Sequence, residues 1–398
     1  MSNSTFSTRH RVLLVALVLI VTATACVSRR SGVSWADMTL VGEENYILVS
    51  YNKFMVLVDP ANGAPVQLRD SDGQIRTDSE GAARRWEISG EDSDSQFFTT
   101  PIWLDDETLL VLNYEGSLAI ASYPDACLAS RSGACVDNFA EAELPGRAMA
   151  DMAVEDGRVF VALADHDLVA VDLETLEQEW LFETNRGLWA APVVVGDIVY
   201  FGSMDHHFYA VNARSGEEEW SLDLDGALAA KPLFFSGDNG EQNARFYVGS
   251  FGRKVYEVTM TGEILAEYEA ENWVWSTPVL FDETLYITDM SGFVHALDIK
   301  NELREVWKTD TEAEGIRPSP LVTDEFVIVA SRNGTVYWLD RETGVEKFHF
   351  DLEAEILSEL ILVERADETL VVVSTVKKEK TLVAFTLDGA PRWTYDRG

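Results

Sequence analysis

The sequence predicts an all-β protein, an eight-bladed β-propeller of four-stranded antiparallel blades, on three observations. A unit of short β-branched and aromatic runs recurs along the 398 residues, its proline anchors at 192, 232, 278 and 320 are spaced by 40, 46 and 42 residues, and a turn pair falls at one equivalent place in most copies. That spacing is the length of one propeller blade.

The clearest unit runs Ala191-Pro192-Val193-Val194-Val195-Gly196-Asp197, then Ile198 to Ser203, then Phe208-Tyr209-Ala210-Val211-Asn212, then Gly216-Glu217-Glu218-Glu219-Trp220. Each piece is rich in strand-forming residues and bounded by turn residues, so the unit reads as four strands. The order returns after Pro232, Pro278 and Pro320; weaker copies begin near Asp37, Pro101, Asp151 and Glu359, the last ending at Trp393. The turn between second and third strands is marked by Asn52-Lys53, Glu115-Gly116, Asp165-His166, Asp205-His206, Ser291-Gly292 and Asn333-Gly334. Asn333-Gly334 is a hairpin signal of the type I′ kind, in which both residues take positive φ.

One blade cannot bury both faces of its sheet, so neighbours must stack and the ring must close. Trp180, Trp220, Trp307 and Trp393 fall in the outer strand, where a large ring fills the gap between blades. Pro192, Pro232, Pro278 and Pro320 open the innermost strand, where a missing N–H is tolerated.

Gly216 to Trp220, with Tyr-Ala-Val-Asn before it and His-Ala-Leu-Asp at the matching place two copies on, resembles the repeat of the pyrroloquinoline-quinone-type (quinoprotein-like) propellers over about residues 35–395. That family has a quinone-dependent dehydrogenase branch and a cofactor-free branch of envelope lipoproteins of the outer-membrane-protein assembly type. The chain has neither the adjacent Cys-Cys pair of the alcohol dehydrogenases nor an added domain. The resemblance therefore implies the scaffold branch: no enzyme activity, no cofactor and no quinone. The alternatives are a quinone-dependent oxidoreductase and a surface receptor for carbohydrate or peptide.

Residues 1–25 read as a lipoprotein signal peptide. Met1 to Arg11 is polar and basic, Val12 to Val21 is apolar but short for a bilayer span, and Ala23-Thr24-Ala25-Cys26 resembles a lipobox with Cys26 as the lipidation site. Residues 26–34 then form a tether and 35–398 the propeller, with insertions near 60–100 and 123–146. The expected location is outside the cytoplasmic membrane, anchored by lipid alone, with inner and outer membrane both open. Cys127 and Cys135 lie in a Ser/Gly/Ala-rich stretch of an exported chain and are read as a disulfide. Zinc is the poorer reading, because no histidine lies nearby.

The net charge of −37 repels phosphate backbones and anionic lipid, which argues against nucleic acid as a partner. An envelope protein is the expected partner. Connections from one blade's outer strand to the next blade's inner strand carry Phe97, Phe98, Arg147, Arg186, Trp189, Trp273, Trp275 and Arg317. Aromatics and arginine dominate protein-binding hot spots, so Trp189, Trp273, Trp275, Arg186 and Arg317 are the candidate partner-binding residues, against a structural reading in which the tryptophans plug the channel. Asp70-Ser71-Asp72-Gly73-Gln74-Ile75 resembles part of a calcium loop, and His166, His206 and His207 sit at hairpin tips. Solvated turns explain both more simply, and no metal site is expected. No nucleophile–base pair, phosphate loop or HExxH helix is found.

Overall fold

The computed structural model describes residues 37–41, 45–51, 54–68, 74–77, 81–89, 96–105, 108–122, 141–237, 243–377 and 380–396. The signal peptide, Cys26, the tether, Cys127, Cys135 and Asp70 to Gly73 lie outside them.

Among the described residues thirty-two strands form eight separate four-stranded sheets, each from one stretch of chain and each in sequential order. Blade 1 holds β1 (Asp37–Val41), β2 (Tyr46–Tyr51), β3 (Phe54–Val58) and β4 (Glu87–Ser89). The later blades run from inner to outer strand as Ile102–Trp103 to Glu141–Glu143, Ala153–Glu155 to Gln178–Glu183, Val193–Val195 to Glu218–Asp223, Leu233–Phe235 to Ile264–Glu269, Val279–Phe281 to Arg304–Asp310, Leu321–Val322 to Glu346–Asp351, and Ile361–Glu364 to Pro391–Tyr395. All pairings are antiparallel. The expected all-β, eight-bladed fold is therefore the observed one. The prolines sit one residue ahead of each inner strand, at 192, 232, 278 and 320, and so leave its ladder intact.

The second and third strands of most blades read as near-continuous buried runs, such as Ile198–Gly202 and His207–Asn212, because both of their faces meet a neighbouring blade. The core divides into eight clusters, one per interface. The cluster joining blades 4 and 5, for instance, holds Tyr200, Phe208, Phe246 and Tyr256, and the one joining blades 8 and 1 holds Ile47, Val49, Val372 and Ala384. Among the described residues no strand of one end is exchanged into the sheet of the other, and face packing joins blades 8 and 1.

Outer-strand tryptophans pin four of the interfaces in one way. The indole N–H of Trp180 donates to the Ala213 carbonyl of the next blade at 3.1 Å, Trp220 to Met260 at 3.1 Å, Trp307 to Arg341 at 3.0 Å, and Trp393 to Pro60 at 2.9 Å. A glycine of that same neighbouring turn lies flat on the ring. At Gly216 (φ +72°) a Cβ would come within 2.8 Å of Trp180, and Gly262, Gly344 and Gly63 stand alike against Trp220, Trp307 and Trp393. The glycine thus serves both the left-handed turn and the close approach.

Two details differ from the sequence reading. Asn333-Gly334 forms a hairpin, but only Gly334 takes positive φ (+103°), so the turn is not type I′. Instead the Ser331 hydroxyl accepts the Thr335 N–H at 3.1 Å and the Ser331 carbonyl accepts the Gly334 N–H at 3.0 Å, which closes the turn with one left-handed residue. The excursion in blade 1 is partly ordered by its own ladder: Val66 N–H donates to Leu57, Trp86 N–H to Val66, and Leu68 N–H to Arg84, which brings Leu68 and Trp86 into the blade 1–2 core.

Candidate functional site

The connections into blades 2 to 8 share one five-residue pattern: Gln96–Thr100, Arg147–Asp151, Gly187–Ala191, Ala227–Lys231, Trp273–Thr277, Gly315–Ser319 and Glu355–Glu359. The first residue's carbonyl accepts an N–H from the hairpin of the same blade, as in Met204 to Gly187 (3.0 Å), Phe251 to Ala227 (2.9 Å) and Met290 to Trp273 (3.0 Å). The second residue is buried in every copy, from Phe97 and Leu188 to Val274 and Ile356. The fourth is a small buried residue, such as Thr99, Ala190 or Ser276. Extended backbone turns alternate residues to opposite sides, so the third and fifth face the other way.

Those third and fifth residues line a cavity of about 380 Å³. Equivalent residues of seven consecutive blades can surround one space only at the ring axis. An upper tier consists of Phe98, Met149, Trp189, Ala229, Trp275, Arg317 and Leu357; a lower tier consists of Asp151, Ala191, Lys231, Thr277, Ser319 and Glu359.

The lower tier is tied together around the axis. Thr100 N–H donates to Asp151 Oδ1 (2.6 Å), Thr277 N–H to Ser319 Oγ (3.0 Å), and Ser319 N–H to Glu359 Oε2 (2.6 Å), each bond passing from one blade to the next. Ser319 Oγ–H also donates to Glu359 Oε1 at 3.0 Å. Solvent reaches Glu359 along the cavity, yet protein atoms crowd it on all sides, and this desolvation, with the charge of Asp151, pushes its carboxyl up to about 7 against the two Ser319 bonds and Arg317. Burial raises Asp151 too, opposed by the Thr100 bond and by Lys231.

The upper tier gathers three of the five predicted partner-binding residues and reaches a fourth. Trp189 and Trp275 lie 6.2 Å apart, and the Arg317 guanidinium sits 4.6 Å above the Trp275 ring. Burial lowers Arg317 to about 10, with Glu359 pulling the other way. Phe251 lies 5.0 Å from Trp275 and stacks at 5.0 Å on Trp273, which stands on the rim outside the cavity. Arg186 is exposed on the Trp189 connection and does not line the cavity. Phe97 points into the core while Phe98 faces the axis and packs 5.1 Å from Tyr114. Arg147 spans the Tyr114 ring and pairs with Asp165 at 2.5 Å.

The histidines do not converge. His166 pairs with Asp167 at 2.9 Å, which raises its pKa, and His207 approaches the Asp205 carbonyl at 3.1 Å within its own blade. Among the described residues no three His, Cys, Asp or Glu side chains are arranged to hold a metal, and no helix is long and apolar enough to cross a membrane.

Sequence reasoning missed Phe251, Asp151, Lys231 and Glu359. Phe251 sits in a hairpin and reaches the tryptophans only through the fold. The other three were legible in principle: each occupies the place before an inner strand that Thr277 and Ser319 hold ahead of Pro278 and Pro320.

No curated protein matches the chain. Among solved structures, BamB from Moraxella catarrhalis superposes with a TM-score of 0.60 at 14% identity, covering 87% of this chain and 92% of that one. The computationally designed Ika8 protein superposes with a TM-score of 0.64, also at 14% identity, over 89% of this chain and 97% of its own. Those two likenesses speak to the fold. The family model described as outer membrane protein assembly factor BamB matches residues 126–239 and 294–398, more than half of the sequence, and the chain belongs to that family of pyrroloquinoline-quinone-like propellers.

Proposed function

We propose that this protein is a non-catalytic interaction scaffold of the bacterial cell envelope, exported by its N-terminal segment, anchored through lipid on Cys26, and docked to a protein partner by the face that carries the blade connections. Family membership supports the setting. The observation that carries the binding reading is the continuous Trp189–Trp275–Phe251–Trp273 cluster with Arg317 stacked on it. Trp189 and Trp273 remain 38% and 48% exposed on an acidic protein. Large, rigid aromatics beside an arginine supply buried area and directed contact at low entropy cost, which is what a protein hot spot requires.

Crosslinking in the native envelope followed by mass spectrometry names the partner. The expected result is one dominant crosslinked protein whose recovery falls at least tenfold with Trp189→Ala and Arg317→Ala together, at unchanged melting temperature. Undiminished capture by that folded variant would overturn the docking face. Labelled lipid precursor is expected to enter the wild type and not Cys26→Ser.

A further inference from the structure

The axial cavity is lined by charged groups of both signs from different blades. Among the described residues, Asp151, Glu359 and Lys231 form no ion pair within 4 Å, although all three line one space of about 380 Å³. The carboxylates hydrogen-bond only to neutral donors, the N–H groups of Thr100 and Ser319 and the Ser319 hydroxyl. Arg317 is the fourth charge of the lining and lies on the face of Trp275. Two carboxyl groups and two cations thus share a partly desolvated site, and a charge such as that of Asp151 or Lys231, without a counter-charge within 4 Å, is costly there. The blades hold them apart, because each stands in a different connection: Asp151, Glu359 and Lys231 at the fifth position of those into blades 3, 8 and 5, and Arg317 at the third position of the one into blade 7.

Carboxyl groups and cations line one space, which selects among ligands. A lone cation or a lone anion answers only one kind of wall group, whereas a molecule bearing one of each meets both. Size agrees, since small-molecule sites begin near 300 Å³. The upper tier adds an apolar collar of Phe98, Met149, Trp189, Trp275 and Leu357 for an uncharged side chain. The tiers are two residues apart along an extended connection, at most about 7 Å. A small amphoteric molecule spans that distance.

We propose that the axial cavity is a binding site for a small zwitterion of the amino-acid or dipeptide class, its ammonium received by Asp151 and Glu359, its carboxylate by Lys231 and Arg317, and its apolar side chain by the Trp189–Trp275 collar. The site shares Trp189, Trp275 and Arg317 with the proposed docking face, but partner capture and zwitterion binding are separate measurements, and either can fail while the other holds.

The test is isothermal calorimetry on the purified full chain with L-leucine and L-alanyl-L-leucine, which carry both charges at two separations. 3-Methylbutylamine and 4-methylpentanoate keep the leucine side chain and one charge each. The expected result is saturable binding of at least one zwitterion, at least tenfold tighter than either singly charged analogue, with quenching of tryptophan fluorescence. Glu359→Gln and Lys231→Met are each expected to weaken it at least fivefold; Lys231 is exposed and bonded to nothing described, so its variant keeps the test valid should the glutamate variant not fold. No saturable binding of either zwitterion, equal binding of a singly charged analogue, or affinity unchanged in folded Lys231→Met would each overturn the site.

Discussion

The indole of Trp393, in the last outer strand, donates to the carbonyl of Pro60, beyond the third strand of the first blade, at 2.9 Å. Two residues 333 positions apart therefore form the same contact that Trp180 and Ala213 form 33 positions apart. With Asn45 donating to the Glu364 carbonyl at 2.9 Å and the shared core of Ile47, Val49, Val372 and Leu382, this contact closes the ring.

Among the described residues no strand is exchanged across this joint, and blades 8 and 1 are not consecutive in the chain. Trp393→Ala is expected to cost roughly 3 kcal/mol, the usual loss for truncating a packed tryptophan. Hydrogen exchange is expected to accelerate first in residues 45–58 and 361–395. Even acceleration around the ring would show that the joint is no weaker than the others.

Ala266 stands where blades 3, 4, 6 and 8 place tryptophan and blade 7 places Phe348, and the facing turn residue of the next blade is Leu303 where those five interfaces place glycine. Both belong to one core cluster, and Leu303 keeps the left-handed φ of the glycine it replaces (+58°). The volumes are exchanged across the interface. Leu303→Gly alone is expected to lose about 3–5 kcal/mol through the cavity left behind, and Ala266→Trp alone to lose about 1–3 kcal/mol by overpacking. The double variant is expected to recover most of the loss, read as a favourable coupling in a denaturation cycle.

Glu359 has a folded-state pKa raised to about 7 from an ordinary 4.5, by desolvation first and the Asp151 charge second. Between those values the folded protein holds a proton that the unfolded chain has released, so this group lowers stability as pH rises through that window. Glu359→Gln is expected to flatten the slope, making the variant's melting temperature equal to wild type near pH 4.5 and higher above pH 7. A parallel pair of pH profiles would show that the carboxyl is not perturbed.

Glu257 is buried and ion-paired with Arg245, whose guanidinium also lies 5.6 Å over the Phe235 ring. Breaking such a pair leaves an unmatched charge inside, so Glu257→Ala is expected to cost roughly 3–5 kcal/mol. Replacing both partners, as Arg245→Met with Glu257→Leu, is expected to lie within about 1 kcal/mol of wild type. Chemical denaturation of the three variants distinguishes a necessary pair from a tolerated one.

What the sequence determined by itself was the repeat: the number of blades, the order of four strands in each, and the place of Trp180, Trp220, Trp307 and Trp393 in the gaps. Those follow from local rules, the two-residue alternation of strands and the turn residues between them, which act over a few neighbours. It also yielded Trp189, Trp275 and Arg317 as residues of one face. Tertiary structure alone decided which groups meet across blades. Gly216 and Trp220 belong to one motif, yet Gly216 lies on Trp180 and Trp220 lies under Gly262. The axial tiers have the same origin: Asp151, Lys231 and Glu359 are separated by scores of residues and share a cavity only because eight equal sheets, each turned a little from the last, bring the start of every inner strand back to a common axis.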